Sequence, residues 1–199
     1  MPTASKPKRT QAERREQSRQ AVLDSACRLF GEKGYTDTSL DDIAADAGMT
    51  IRPVYHYFGN KKALFAAAVE QMSARILDTM RDDYAENPEE AMRTSWRAFL
   101  DLCDDPAFRR IVLIDSPNVL GRQDWSDSPA YTRAISLVGS VQPRGAANQF
   151  RFALVNRVMM GAMAEAALMV AEADNITMAK REAEQFIMAL FGRVGEYYR

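Results

Sequence analysis

Apolar residues in this chain recur at intervals of three and four, and no run alternates with period two for long enough to build a strand. A backbone patterned in this way buries its apolar side chains by coiling into helices whose stripes face one another. The predicted fold class is therefore all-α. With 199 residues, 47% apolar and 27% charged, the chain is long enough for a buried core and too apolar to stay disordered.

Helix stops and starts divide it further. Residues 1–10 are polar, hold two prolines and carry Lys6, Lys8 and Arg9, which predicts a flexible basic tail. From about Gln11 a helix puts Val22, Ala26, Leu29 and Phe30 on one face, and Lys33-Gly34 ends it with a cation and a left-handed cap. Thr38 or Ser39 opens the next helix, each with an Asp three residues on. Its inner face is Leu40, Ile43, Ala44 and Ala47, and Gly48 closes it. Thr50 caps a short third helix with Pro53 in its first turn. Asn60 caps a fourth, with the stripe Leu64, Phe65, Ala68, Met72, Ile76 and Met80. After the Asn87-Pro88 break, helices are expected over 89–103, 106–115, 131–141, 147–173 and 177–198, with an irregular connection at 116–130. The domain reading is a helix-turn-helix unit over 11–62 and a larger helical domain over 63–199.

The net charge of −1 conceals an asymmetry. Residues 1–62 carry eleven Lys/Arg against eight Asp/Glu, and the remainder carries fifteen against nineteen. An anionic partner is expected at the N-terminal end alone. The longest uncharged apolar stretch, Val158–Ala164, stops at Glu165, so no membrane span is expected, and no apolar segment follows the basic N-terminus to make a secretory signal. Cys27 and Cys103 lack CxxC spacing; the pair could form one disulfide, but two well-separated thiols fit a reducing, cytoplasmic setting better. His56 is the sole histidine, which excludes a histidine metal cluster and a Ser-His-Asp triad. The adjacent carboxylates Glu89-Glu90 and Asp104-Asp105 point apart on a helix, and no Gly-rich phosphate loop is present. Neither catalysis, nor a metal, nor a cofactor is expected.

Ala44, Gly48 and Val54 stand at offsets of zero, four and ten. Two short helices that cross steeply need a small residue at the crossing, Gly where the turn takes positive φ, and an apolar residue facing back. That is helix-turn-helix spacing. Projection of the third helix at 100° per residue gathers Ile51, Val54, Tyr55 and Phe58 on an inward arc. Arg52, Pro53 and His56 take the opposite arc, with Tyr57 on its edge. An exposed arc of Arg, His and Tyr suits a major groove, where Arg forks onto guanine and Tyr or His donates to phosphate.

The segments Leu40-Asp41-Asp42-Ile43-Ala44, Ala47-Gly48-Met49-Thr50 and Val54-Tyr55-His56-Tyr57-Phe58-Gly59-Asn60-Lys61-Lys62-Ala63-Leu64-Phe65 resemble the DNA-binding signature of the TetR family of bacterial transcription regulators. The resemblance covers roughly residues 14–65. It implies that Thr38 or Ser39 touches a phosphate, that Thr50, Arg52, Pro53, Tyr55 and Tyr57 line the groove, and that Lys61 anchors the DNA backbone. It places the Tyr55 hydroxyl on phosphate, where projection places the ring in the core. This chain departs from the family in having Ile51 where a basic residue is usual and Arg52 where glycine is usual. Base reading is therefore assigned to Arg52, with Ile51 against a thymine methyl as the alternative.

The last two helices carry more apolar surface than one pair hides, which reads either as domain core or, as the resemblance implies, as a four-helix seam of a homodimer. Met92, Trp96, Phe99, Trp125, Met160 and Met163 read either as core or as the lining of a small-molecule effector cavity, with Arg109, Arg110 and Asp115 as polar candidates beside it. The resemblance favours a homodimeric repressor that an apolar or aromatic effector releases from a palindromic double-stranded DNA operator. The alternative is a helix-turn-helix module with no small ligand, whose second domain meets a protein partner.

Overall fold

A computed structural model describes residues 10–79, 87–121 and 146–197, and among them there is no strand. Four helices come first: α1 (Gln11–Lys33), α2 (Leu40–Asp46), α3 (Ile51–Phe58) and α4 (Lys61–Thr79). α5 (Pro88–Leu102) follows. A single turn, α6 (Pro106–Phe108), then widens into π-helix at Arg109–Asp115 and returns to an α-turn, α7 (Ser116–Val119). Two long helices, α8 (Ala146–Glu172) and α9 (Ile176–Tyr197), complete the described chain. The expected basic tail, the stretch 131–141, Met80 and Trp125 lie outside the described residues.

Local chemistry explains most of the boundaries. Thr10 and Glu13 form a capping box that starts α1, and Gly34 ends it at φ 83° with its N–H bonded to the Phe30 carbonyl. Ser39 and Asp42 form a second box at α2. The Asn60 side chain accepts from the Ala63 N–H at 2.8 Å, as its cap reading predicts. Pro88 and Pro106 each stand in a first helical turn, where a missing N–H costs nothing. The expected helix at 106–115 is present, but most of it is wound as π rather than α.

α1 spans both halves of the molecule. Its inner side chains Val22, Ala26 and Phe30 are fully buried, with Leu64 and Phe65 of α4 against them. Phe65 meets the edges of Phe30 and Tyr35 at 5.1 and 4.9 Å between ring centroids. Its far end lies on α6 so closely that a Cβ added to Gly31 would sit 2.4 Å from the Ala107 Cβ. Trp96, Phe99 and Phe108 form a second aromatic group, at 5.8 and 6.3 Å. Both groups belong to one apolar cluster that reaches Ile187 on α9.

Ion pairs tie the second half together. Arg97 forks onto Glu184 at 2.7 and 2.8 Å, and Arg93 reaches the same carboxylate at 2.9 Å, joining α5 to α9. Those two guanidiniums hold the Glu184 carboxyl below its ordinary value. Arg75 pairs with Asp105 at 2.7 Å and lies over the Phe108 ring, fastening α4 to the start of α6.

By length and composition alone, Asn148–Glu172 in α8 is apolar enough to cross a membrane, but Arg151, Arg157 and Glu165 interrupt it, and the expectation of no membrane span stands. The helix packs lengthwise on α9 and touches the π segment, yet Phe150, Leu154, Val158 and Met169 remain exposed. With α9 it forms an apolar groove lined by Leu154, Val155, Val158, Met159, Leu190 and Val194.

Candidate nucleic-acid interface

The spacing of Ala44, Gly48 and Val54 becomes a tight corner. Gly48 takes φ 68°, a conformation side chains resist, and the next N–H, from Met49, donates to the Ala44 carbonyl at 2.8 Å. Ala44 and Val54 are buried at the crossing, so α3 sits on α2 with its other side turned outward. The far end of α3 is held by α1, where the Arg19 guanidinium lies 5.3 Å above the Phe58 ring. Sequence reasoning missed this contact, since nothing in the local pattern brings residue 19 to residue 58.

On the outward side Arg52, Tyr55 and His56 are exposed, and Thr50 begins the helix with a side chain that makes no cap bond. Ile51, Pro53 and Tyr57 are half-buried. Tyr55 is 54% exposed, which overturns its projection into the core. The packed arc runs from Tyr57 through Val54 and Phe58 to Ile51. Its centre is nearer Val54 than the projection assumed, and Tyr55 falls beyond its border. Tyr57 is correspondingly deeper, its ring 5.3 Å from His56 and 6.5 Å from Phe58.

Thr38 and Ser39 separate cleanly. Thr38 is 1% exposed, and its hydroxyl donates to the Gly34 carbonyl at 2.8 Å with the Leu29 carbonyl at 3.1 Å. It is a structural tie between α1 and the link to α2, and it cannot face a phosphate. Ser39 is exposed and caps α2, accepting from the Asp42 N–H at 3.0 Å. Its hydroxyl and amide hold the Asp42 carboxyl below the usual carboxylate value. Lys61 is half-buried, donates to the Thr36 carbonyl at 3.2 Å and stands 4.4 Å over the Tyr35 ring. That leaves it ammonium protons to spare, while Lys62 beside it is exposed.

The residues expected to line an effector cavity are partly gathered. Trp96 and Phe99 are buried and in contact, and Met92, Met160 and Met163 are half-buried. Asp115 accepts from the Tyr35 N–H at 2.8 Å. Arg109 donates to the Cys103 carbonyl. The buried Trp96 Nε1, Ser95 Oγ, Ser116 Oγ and Asn156 Nδ2 have no hydrogen-bond partner among the described residues.

Residues 22–68 match the family model described as bacterial regulatory proteins, tetR family, and residues 89–194 match that of the tetracyclin repressor-like C-terminal domain. The chain belongs to the TetR family.

A solved TetR-family transcriptional regulator of Pectobacterium atrosepticum is 34% identical, with 92% of this chain and 95% of that one aligned at a TM-score of 0.60. A TetR-family regulator of Streptomyces coelicolor, 22% identical at a TM-score of 0.63, shares the fold. Among curated relatives, the transcriptional repressor AcnR of Corynebacterium efficiens is 30% identical over 102 residues, 46% of this chain and 54% of that protein. The biofilm-operon regulator IcaR of Staphylococcus epidermidis is 30% identical over 66 residues, 33% of this chain and 36% of that protein. The chain thus spans about half or less of the curated relatives it matches. TetR-family chains are helix-turn-helix transcriptional regulators, and this one carries both the DNA-binding half and the helical half of the family.

Proposed function

We propose that this TetR-family chain is a cytoplasmic, homodimeric transcriptional repressor that reads a palindromic operator and leaves it when the second domain takes up a small effector. The exposed Thr50, Arg52, Tyr55 and His56 side of α3, held outward by the buried Ala44–Gly48–Val54 corner, is the observation that carries this reading. Arg52 reads base edges, because its guanidinium can fork onto guanine O6 and N7. Thr50, Tyr55, His56 and the spare protons of Lys61 bind phosphates, with Ser39 beside them. Pro53 and Ile51 shape the contact surface, and Tyr57 supports the helix from below.

Two protomers join through α8 and α9. Exposed Phe150, Leu154, Val158 and Phe186, together with the groove between these helices, form the apolar surface that a four-helix seam buries. The same surface accounts for the membrane-like composition of α8. The effector lies beside Trp96 and Phe99, where the unpaired indole N–H of Trp96 favours an apolar ligand bearing a hydrogen-bond acceptor.

Selection of bound DNA from a random pool tests the reading, with the Arg52→Ala protein run in parallel. A two-fold-symmetric motif that loses preference at one base pair in each half-site is the expected result. No enriched motif, or one the substitution leaves unchanged, would overturn the assignment of α3.

A further inference from the structure

A π-helix is rare and persists where something resists tighter winding. Arg109–Asp115 lies between two prolines. Upstream, Pro106 opens α6 behind Asp105, whose carboxylate accepts from the Ala107 N–H at 2.9 Å. Downstream, Pro117 has no N–H to offer the Leu113 carbonyl, and in an α-helix its ring would press against that oxygen. The wider winding removes the conflict. The Ser116 N–H reaches back five residues to the Ile111 carbonyl, and the Asn118 side chain donates to the Ile114 carbonyl at 2.7 Å. Relaxing such a bulge by one residue would turn whatever lies at its end by about 100°.

What lies at its end is Asp115. Its carboxylate accepts from the N–H of Tyr35, the residue that starts the link from α1 to α2. The Tyr35 ring is stacked on Phe30, edge-on to Phe65 and beneath the Lys61 ammonium, which in turn holds the Thr36 carbonyl. Asp115 therefore grips the entry to the helix-turn-helix from the second half of the molecule. The close approach of Gly31 to Ala107 lies one turn before that link. On its other side the π segment touches α8, which bears Met160 and Met163.

We propose that Asp115 is a positioning residue for DNA recognition, and that the winding of Arg109–Asp115 decides whether it holds the Tyr35 link. In the π form the carboxylate clamps the link and sets the helix-turn-helix against the second domain. In the α form Asp115 turns away, and the spacing between the two recognition helices of a dimer is no longer set. An effector acts to the extent that its affinity differs between the two windings. The inference rests on the DNA-binding reading above.

The test compares wild type with Asp115→Ala, Asp115→Asn, Pro117→Ala and the Asp115→Ala/Pro117→Ala double variant. Hydrogen exchange is followed in the peptide covering residues 34–38. Binding is measured on duplexes carrying the selected half-sites, with their spacing changed by one and two base pairs. Asp115→Ala and Pro117→Ala should each raise exchange in the link about fivefold or more and flatten the preference among spacings. Asp115→Asn, which keeps an acceptor oxygen, should restore most of both. The double variant should be no worse than the more affected single one, because both open the same clamp.

Exchange and spacing preference unchanged in Asp115→Ala would overturn the clamp, and additive effects in the double variant would overturn the link to winding. A general loss of affinity with spacing preference intact would make Asp115 merely structural and overturn its positioning role. If Pro117→Ala fails to fold, the comparison of Asp115→Ala with Asp115→Asn still decides whether Asp115 positions the link. Failure of the wild type to select any DNA would overturn the functional reading and the positioning role with it, an outcome distinct from an unaltered clamp in a protein that does select DNA.

Discussion

Arg52 is exposed on a helix whose other side is locked by Val54, so its removal should alter recognition without altering the fold. Arg52→Ala is expected to lose about 1–3 kcal/mol at one base position and to relax specificity there, measured by binding to single-base operator variants. Uniform weakening on all sequences would instead make Arg52 a phosphate contact. Lys61 carries two duties. Lys61→Ala should lower the slope of log K against log salt by about one unit, and it should also lower the melting temperature through the lost Thr36 and Tyr35 contacts. An unchanged slope would leave only the structural duty. Thr38 and Tyr55 mark what sequence could not resolve at this scale. A hydroxyl before a helix reads as a cap in either of two neighbouring positions, and only the return of α1 buries the first and leaves Ser39 as the cap. An aromatic at the border of an amphipathic arc is equally undecided, because a small shift in the arc's centre moves it from core to surface.

At the scale of elements, helix α1 couples the two halves by close approach, and Gly31 is the point of contact. Gly31→Ala should destabilise the protein by about 1–3 kcal/mol, because the new methyl would meet Ala107 at 2.4 Å between packed helices. Thermal or denaturant unfolding would show it, and a neutral result would mean that α1 and α6 move apart without penalty. The joint of α5 with α9 makes a pH prediction. Arg97 and Arg93 depress the Glu184 carboxyl, so the folded state holds its proton less tightly than the unfolded one. The stabilisation is complete above the ordinary value of 4.5 and is lost as pH falls through the lower folded value. Melting temperature should therefore fall as pH is lowered through that window, and Glu184→Gln should shrink the fall. An equal fall in both proteins would remove Glu184 from the account. Capping residues made most of these elements legible in sequence: Gly34, Ser39 with Asp42, Asn60 and Asn87 all stand where local chemistry puts a boundary. The π winding was not legible, since residues 109–115 read as ordinary helix and the conflict with Pro117 appears only when the turn beyond it continues the same axis.

At the scale of the whole molecule, α8 and α9 leave apolar side chains uncovered, and a second copy of the chain is the proposed cover. Val158→Glu should give a folded monomer by light scattering at micromolar concentration and lose cooperative operator binding, because a charge would be buried in the seam. A dimer that survives this substitution would place the interface elsewhere. Sequence alone determined the helical class, the helix-turn-helix corner and the family resemblance, since these rest on local periodicity, caps and one glycine with positive φ, all set within a few neighbouring residues. Tertiary structure decided which of those residues face out. Thr38 went inward and Tyr55 outward, Lys61 was drawn onto Tyr35, and Asp115 met an amide eighty residues away. Each of these depends on how α1 and the π segment lie against the corner, and contacts between distant segments leave no mark in local sequence.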